Sequence, residues 1–221
     1  RERGERRMMT RDLFASGELE LLDIPDAEIF YAPIVDLEAD PDAILRELIE
    51  QVPWRTEVIN LWGKEHQQPR LAAWFGDAGA RYTYSGLSLS PLPWTDLLST
   101  LRRRVEALAK TSFNSVLLNY YRDHRDSMGM HSDDEPELGQ NPVIASMSLG
   151  AQRTLVLKHK FRKELKPIHL PLDHGSLLLM KGATQHNWKH GINKLSRPCG
   201  PRVNLTFRRI VEHVSNLEGV G

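Results

Sequence analysis

The chain has a single cysteine, Cys199, in 221 residues. One thiol closes no intramolecular disulfide, and cysteine-rich zinc sites are excluded with it. No apolar run approaches the ~20 residues that a membrane helix needs. The first ten residues are polar and Arg-rich, hold no apolar signal-peptide core and read as a loose tail. Internal repeats and low-complexity linkers are missing too. Net charge is zero, with 29 Lys and Arg against 29 Asp and Glu. These absences point to a soluble protein of a reducing compartment, cytoplasmic in a bacterium or nuclear in a eukaryote. A monomer without membrane contact is expected. The length suits one domain with a real core, with or without an extension.

The balanced charge is unevenly placed. Residues 151–210 hold thirteen Lys and Arg and two Asp and Glu, whereas residues 11–50 hold two and twelve. A molecule with one basic face suits nucleic acid. Alternating solvated charge on exposed strands would give the same count.

Two helices are expected early. Asp40-Pro41 opens the first, Ile44, Leu45, Leu48, Ile49 and Val52 recur at helical spacing, and Pro53 ends it. The second runs from about Thr95 to Leu108, with Leu97, Leu98, Leu101, Val105 and Leu108 as its buried stripe. Its Arg102, Arg103 and Arg104 read as a solvated face. From Ser115 the pattern shifts to short strands, at 115–121, 142–149, 153–160, 166–172, 175–181, 187–192 and 202–210. Many short strands after two helices favour a mainly β class, a jelly roll or barrel with helices packed outside. Residues 1–53 read as an N-terminal extension and helix. Residues 54–94, richer in Trp, Pro, Gly and Tyr, read as an irregular lid or hairpin, and 95–221 as a helix plus the core.

His131-x-Asp133 is a weak motif alone. It gains meaning because i and i+2 point to one side of an extended segment, so an imidazole nitrogen and a carboxylate oxygen reach one ion. His159, His169, His174, His186 and His190 are available as a third ligand. His174 lies in a turn-like Asp-His-Gly and reads as structural, while spacing leaves His186 and His190 both open. Two histidines and one carboxylate make the facial triad of non-haem Fe(II) oxygenases, which leaves positions open for other ligands.

The segment 202–210 is the most informative. Period-2 geometry puts Arg202, Asn204, Thr206 and Arg208 on one face and Val203, Leu205 and Phe207 on the other. Two arginines inside a barrel require anionic partners, because an unpaired buried charge is costly. Their Cα atoms lie about 20 Å apart at strand rise. Extended guanidinium arms close most of that gap and leave room for a short diacid with a charged fork at each end. Asn119 and Tyr121 share one face of the strand 115–121 and can donate to carboxylate oxygens.

Together these residues resemble the AlkB family of Fe(II)- and 2-oxoglutarate-dependent nucleic-acid dealkylases. The resemblance runs from about Leu61 to Ile210. It is carried by Gln68-Pro69-Arg70, Phe75-Gly76-Asp77, Tyr82-Thr83-Tyr84-Ser85-Gly86, Asn119-x-Tyr121, His131-Ser132-Asp133-Asp134-Glu135 and the 202–208 strand. The resemblance implies a double-stranded β-helix (jelly roll) with an N-terminal helical and lid extension. It implies Fe(II) on His131, Asp133 and His190, because the family's distal histidine follows an aromatic residue as in Trp188-Lys189-His190, with His186 as the fallback. It further implies 2-oxoglutarate held by Arg202 with Tyr121 at one carboxylate and by Arg208 with Asn119 at the other, supported by Asn204. The substrate base would lie between His131 and Phe75, near Trp74 and Tyr82, with Glu135 and Arg70 at its edge. Leu61-Trp62-Gly63-Lys64 resembles the hairpin tip that fills the gap left by a flipped base. The activity implied is oxidative demethylation of N-alkylated bases, of the 1-methyladenine and 3-methylcytosine type. The implied partner is DNA, single- or double-stranded, or RNA.

Overall fold

A computed structural model describes residues 17–211, apart from positions 62, 63, 81, 85 and 86; the side chains at 58–66 and 81–89 also lie outside the described set. In chain order the elements are β1 (Glu20–Leu21), β2 (Glu28–Ala32), α1 (Pro41–Gln51), β3 (Arg55–Leu61), β4 (Lys64–Gly76), β5 (Tyr82–Tyr84), β6 (Leu87–Leu89) and α2 (Asp96–Ala109). There follow β7 (Ser115–Tyr121), β8 (Met128–His131), a 3-10 turn (Pro136–Leu138), β9 (Ile144–Gly150) and β10 (Arg153–His159). The rest are β11 (Ile168–Leu172), β12 (Ser176–Lys181), α3 (Thr184–Asn187), β13 (Trp188–Ile192) and β14 (Arg202–Arg208).

Both long helices begin and end for local reasons. The Asp40 side chain caps α1 by accepting from the Asp42 N–H, with Pro41 in the first turn. Val52 leaves helical geometry because Pro53 follows it. Thr95 Oγ1 accepts from the Leu98 N–H at the start of α2, and Lys110 ends that helix in the left-handed conformation. The arginine run of α2 is not simply solvated. Arg102 pairs with Asp77 and Glu106, and Arg104 with Asp36 and Glu38.

Eight strands form the major sheet in the order β1-β2-β12-β9-β14-β7-β4-β3, and four form the minor sheet, β11-β10-β13-β8. This is a jelly roll with helices on one outer face. Between the major sheet and the helices lies one core, with Ile44 and Leu48 of α1 and Leu98, Leu101 and Val105 of α2 meeting Val116, Leu118, Val203, Leu205 and Phe207. A second core fills the space between the sheets, with Tyr121, Leu155, Leu157, Leu178, Met180, Trp188 and Ile192. The sheets are thus two layers of one packed unit.

β14 lies centrally, bonded to β7 on one side and β9 on the other, with Arg202 opposite Tyr121 and Asn204 opposite Asn119. Its entry is tight. Gly150, at φ 95°, ends β9 where a Cβ would collide with the Pro201 carbonyl oxygen, so a side chain there would push β14 out of register. The 54–94 stretch is more regular than its composition suggests. β3 and β4 form a hairpin, and the thirteen-residue β4 continues into the major sheet by pairing with β7. The last pair of the hairpin is Leu61 with Lys64.

Candidate active site

The site opens at a cavity between the sheets. β8 and β13 bring His131 and His190 directly opposite each other, with ring centroids 4.4 Å apart. Asp133 lies two residues beyond His131. One potential ligand atom from each of His131, Asp133 and His190 falls within 4.8 Å of the other two, so this group could hold a metal ion. His186 stands apart from it, exposed on the short α3.

The protonation of these groups suits a cation. His131 Nδ1 is 2.9 Å from the Gly129 carbonyl oxygen, which can only accept, so Nδ1 is the donor there and Nε2 is the ring nitrogen left for a metal. Burial is the main influence on His190 and holds its pKa down at about 4, which leaves the ring neutral near pH 7. Burial by itself would raise the Asp133 pKa. The charges of Arg208, His190 and His131 more than offset it and keep the carboxyl below its ordinary value. Two imidazoles and a carboxylate are a donor set that iron accepts.

The loop carrying Asp133 is fixed from α3 and β13. The Asp133 N–H donates to Gln185 Oε1 at 2.9 Å, and the Ser132 hydroxyl donates to the Trp188 carbonyl at 2.9 Å. Sequence reading missed Gln185. A fully buried amide beside the distal histidine carries no spacing signature, and its role becomes visible only once the two segments meet.

The polar face of β14 forms one cavity wall. Arg202, Asn204, Thr206 and Arg208 line it with Tyr121, His131, Asp133 and His190. Asn204 Nδ2 donates to Ser146 Oγ and to the Met147 carbonyl, and its Oδ1 accepts from the Thr206 hydroxyl. Arg202 Nη2 donates to Ser148 Oγ at 2.9 Å, and Arg208 Nη2 pairs with Asp133. Among the described residues several buried donors nonetheless have no partner: Arg202 Nε and Nη1, Arg208 Nε and Asn119 Nδ2. Buried donors are nearly always satisfied, because each one left unmade costs about 1–3 kcal/mol and more if charged. Unused charged donors on a wall beside a metal-type group fit a small polyanion such as a dicarboxylate.

The residues expected around a substrate base divide into three sets. Arg70 and Trp74 are half-buried on β4, and Arg70 Nε donates to Asn119 Oδ1 at 2.7 Å. Glu135 follows the metal-type group and opens the 3-10 turn. Phe75 requires a correction. It pairs with Val116 and is buried in the helix-facing core, on the side of the major sheet away from the cavity. Trp74 pairs with Leu117 and packs toward the inter-sheet core. Alternation along a strand leaves one of two neighbours on each face, and pairing with β7 selects Trp74. Leu61 and Tyr82 have side chains outside the described residues, as has Trp62 altogether.

Comparison with known proteins shows the family. The profile of the 2OG-Fe(II) oxygenase superfamily matches residues 34–208. The Mus musculus alpha-ketoglutarate-dependent dioxygenase alkB homolog 3 is 44% identical over 188 residues, 81% of this chain and 65% of its own length. The Homo sapiens DNA oxidative demethylase ALKBH2 is 42% identical over 183 residues, 79% of this chain and 70% of its own. The solved structure of OsALKBH1 superposes with a TM-score of 0.56 over 86% of this chain and 99% of that one, at 16% identity, a likeness of fold alone. The chain spans 65% of the length of the mouse relative. On this profile, these identities and the cavity they share a fold around, the chain belongs to the 2OG-Fe(II) oxygenase superfamily and, within it, to the AlkB family of Fe(II)/2-oxoglutarate dioxygenases.

Proposed function

We propose that the protein is an Fe(II)- and 2-oxoglutarate-dependent dioxygenase that oxidatively demethylates N-alkylated bases of the 1-methyladenine and 3-methylcytosine type in DNA, with RNA as a second substrate. One observation carries the reading. The His131–Asp133–His190 group and the unsatisfied donors of Arg202 and Arg208 line the same cavity.

Iron bound with 2-oxoglutarate supplies an oxidant that hydroxylates an N-methyl group, which then leaves as formaldehyde. The chain's own residues supply geometry. His131, Asp133 and His190 would hold the metal. Arg208 and Asn119 orient the end of the dicarboxylate nearest the metal, and Arg202 with Tyr121 holds the far end. Asn204 keeps that wall rigid through Ser146 and Met147. The Gly129 carbonyl fixes the His131 tautomer. Trp74 stacks on the base, and Arg70 and Glu135 stand at its edge. Leu61 and Trp62, by their resemblance to the family's hairpin tip, would supply an apolar wedge that offsets stacking lost when a base turns out. The basic 151–210 segment supplies phosphate affinity. Among the described residues no helix is long and apolar enough to cross a membrane.

The test is formaldehyde release from an oligonucleotide bearing a single 1-methyladenine, with Fe(II) and 2-oxoglutarate each omitted in turn. Release that needs both is expected. Consumption of 2-oxoglutarate with no demethylation of methylated DNA or RNA would overturn the nucleic-acid reading and favour a protein or small-molecule substrate.

A further inference from the structure

Arg153 lies behind the wall that faces the cavity. It begins β10 in the minor sheet, is 1% exposed, and does not line the cavity itself. Among the described residues its guanidinium makes no ion pair. It donates instead to three backbone carbonyls, from Nη1 to Asp123 at 3.3 Å and from Nη2 to Asp126 at 2.8 Å and Asn193 at 2.6 Å. Its Nε is buried without a partner. Its Cζ lies over the Tyr121 ring, 5.4 Å from the centroid, while Arg202 from the other sheet lies over the same ring at 5.0 Å.

Two buried cations therefore share one phenol, and among the described residues neither has a carboxylate. An apolar side chain of similar volume would fill the Arg153 site at lower electrostatic cost. Carbonyl dipoles offset only part of a full charge, so positive potential remains at the Tyr121 end of the cavity. Burial is the main influence lowering the Arg202 pKa; the Tyr121 phenol opposes it, and the Arg153 charge lowers it further. The carbonyls that Arg153 grips are also well placed. Asp123 and Asp126 belong to the turn between β7 and β8, and Asn193 directly follows β13. One side chain thus ties the end of the Tyr121 strand to the two strands that carry His131 and His190.

We infer that Arg153 is a positioning residue for the far carboxylate of the dicarboxylate co-substrate: it holds the Tyr121 ring against Arg202 and adds positive potential behind it. The inference rests on the reading of the cavity as a 2-oxoglutarate site. It makes Arg153 a determinant of which 2-oxo acid is accepted, since its influence falls on the end remote from the metal.

The test is a binding experiment on Mn(II)-loaded protein without oxygen, by titration calorimetry. The ligands are 2-oxoglutarate and 2-oxopentanoate, which has the same chain length with a methyl group in place of the far carboxylate. In Arg153→Gln the affinity for 2-oxoglutarate should fall about tenfold and that for 2-oxopentanoate less than about twofold, the size expected for removing one nearby partly screened charge. Arg153→Lys retains charge but cannot span three carbonyls, and should lose about threefold of the preference. Equal weakening of both ligands in Arg153→Gln, or no change in either, would overturn the inference. If Arg153→Gln does not fold, Arg153→Lys decides, and a wild-type preference there would overturn it. A wild-type protein that does not prefer 2-oxoglutarate would instead sink the underlying reading of the site.

Discussion

On one face of β14, Val203, Leu205 and Phe207 are wholly buried against the helices. On the other, Arg202, Asn204 and Thr206 are almost as inaccessible, at 1%, 5% and 8%, yet Arg202 leaves two nitrogens unbonded. The same seven residues therefore meet two different demands. The apolar face is complete in the protein alone, and each methyl group there contributes to stability. The polar face keeps buried donors without partners among the described residues, and each of these costs stability. Burial alone does not distinguish the two, whereas hydrogen-bond satisfaction does.

The comparison breaks most severely at the metal group. Asp133→Ala should abolish Fe(II) binding and lower demethylation at least about 100-fold, with Mn(II) titration reading the metal directly. On the apolar face, Phe207→Ala should destabilise the fold by about 3–5 kcal/mol, measured by denaturant unfolding, and change 2-oxoglutarate affinity only as far as the fold loosens. The polar face should also respond to pH. The folded pKa of His190 is depressed to about 4, so the unfolded chain binds the proton first. The metal-free protein is then expected to lose stability as pH falls from about 6.5 to about 4, by up to ~3 kcal/mol. The lowered pKa of Asp133 adds a loss of the same sign at still lower pH. Unfolding midpoints that stay flat over pH 7 to 4 would refute this. Arg202→Met sharpens the contrast. It should leave the ligand-free protein as stable as before or stabilise it by ~1–2 kcal/mol, while 2-oxoglutarate affinity falls about 100-fold. The smallest expected effect separates the neighbours on β4. Trp74→Ala should raise the KM for methylated oligonucleotide about tenfold, as expected for losing one stacking surface, with little loss of stability. Phe75→Ala should do the reverse.

β14 was legible nearly residue by residue because its polar and apolar residues alternate strictly, and β7 because it is a short, largely apolar run buried on both faces. The helix limits were legible because Asp40, Pro41, Thr95 and Pro53 act locally, through their own backbone geometry. The metal-type histidine was less so. Spacing admits both His186 and His190, and α3 separates them by exposing the first while β13 aligns the second with His131. The Phe75 error has the same origin. Strand parity follows from sequence, but which parity faces the cavity depends on pairing with a partner strand more than forty residues away.

The sequence by itself determined the alternation of β14, the caps of α1 and α2, and the supply of two histidines, a carboxylate and two arginines. Each of these depends on neighbours within a few positions along the chain. Only the tertiary structure decided that His190 meets His131, that Trp74 packs on the inter-sheet core and Phe75 on the helix-facing one, and that Gln185 bonds the Asp133 N–H and Arg153 lies over Tyr121. Those outcomes follow from register and from the packing of two sheets, where single contacts join segments tens of residues apart, and no local pattern encodes such a distance.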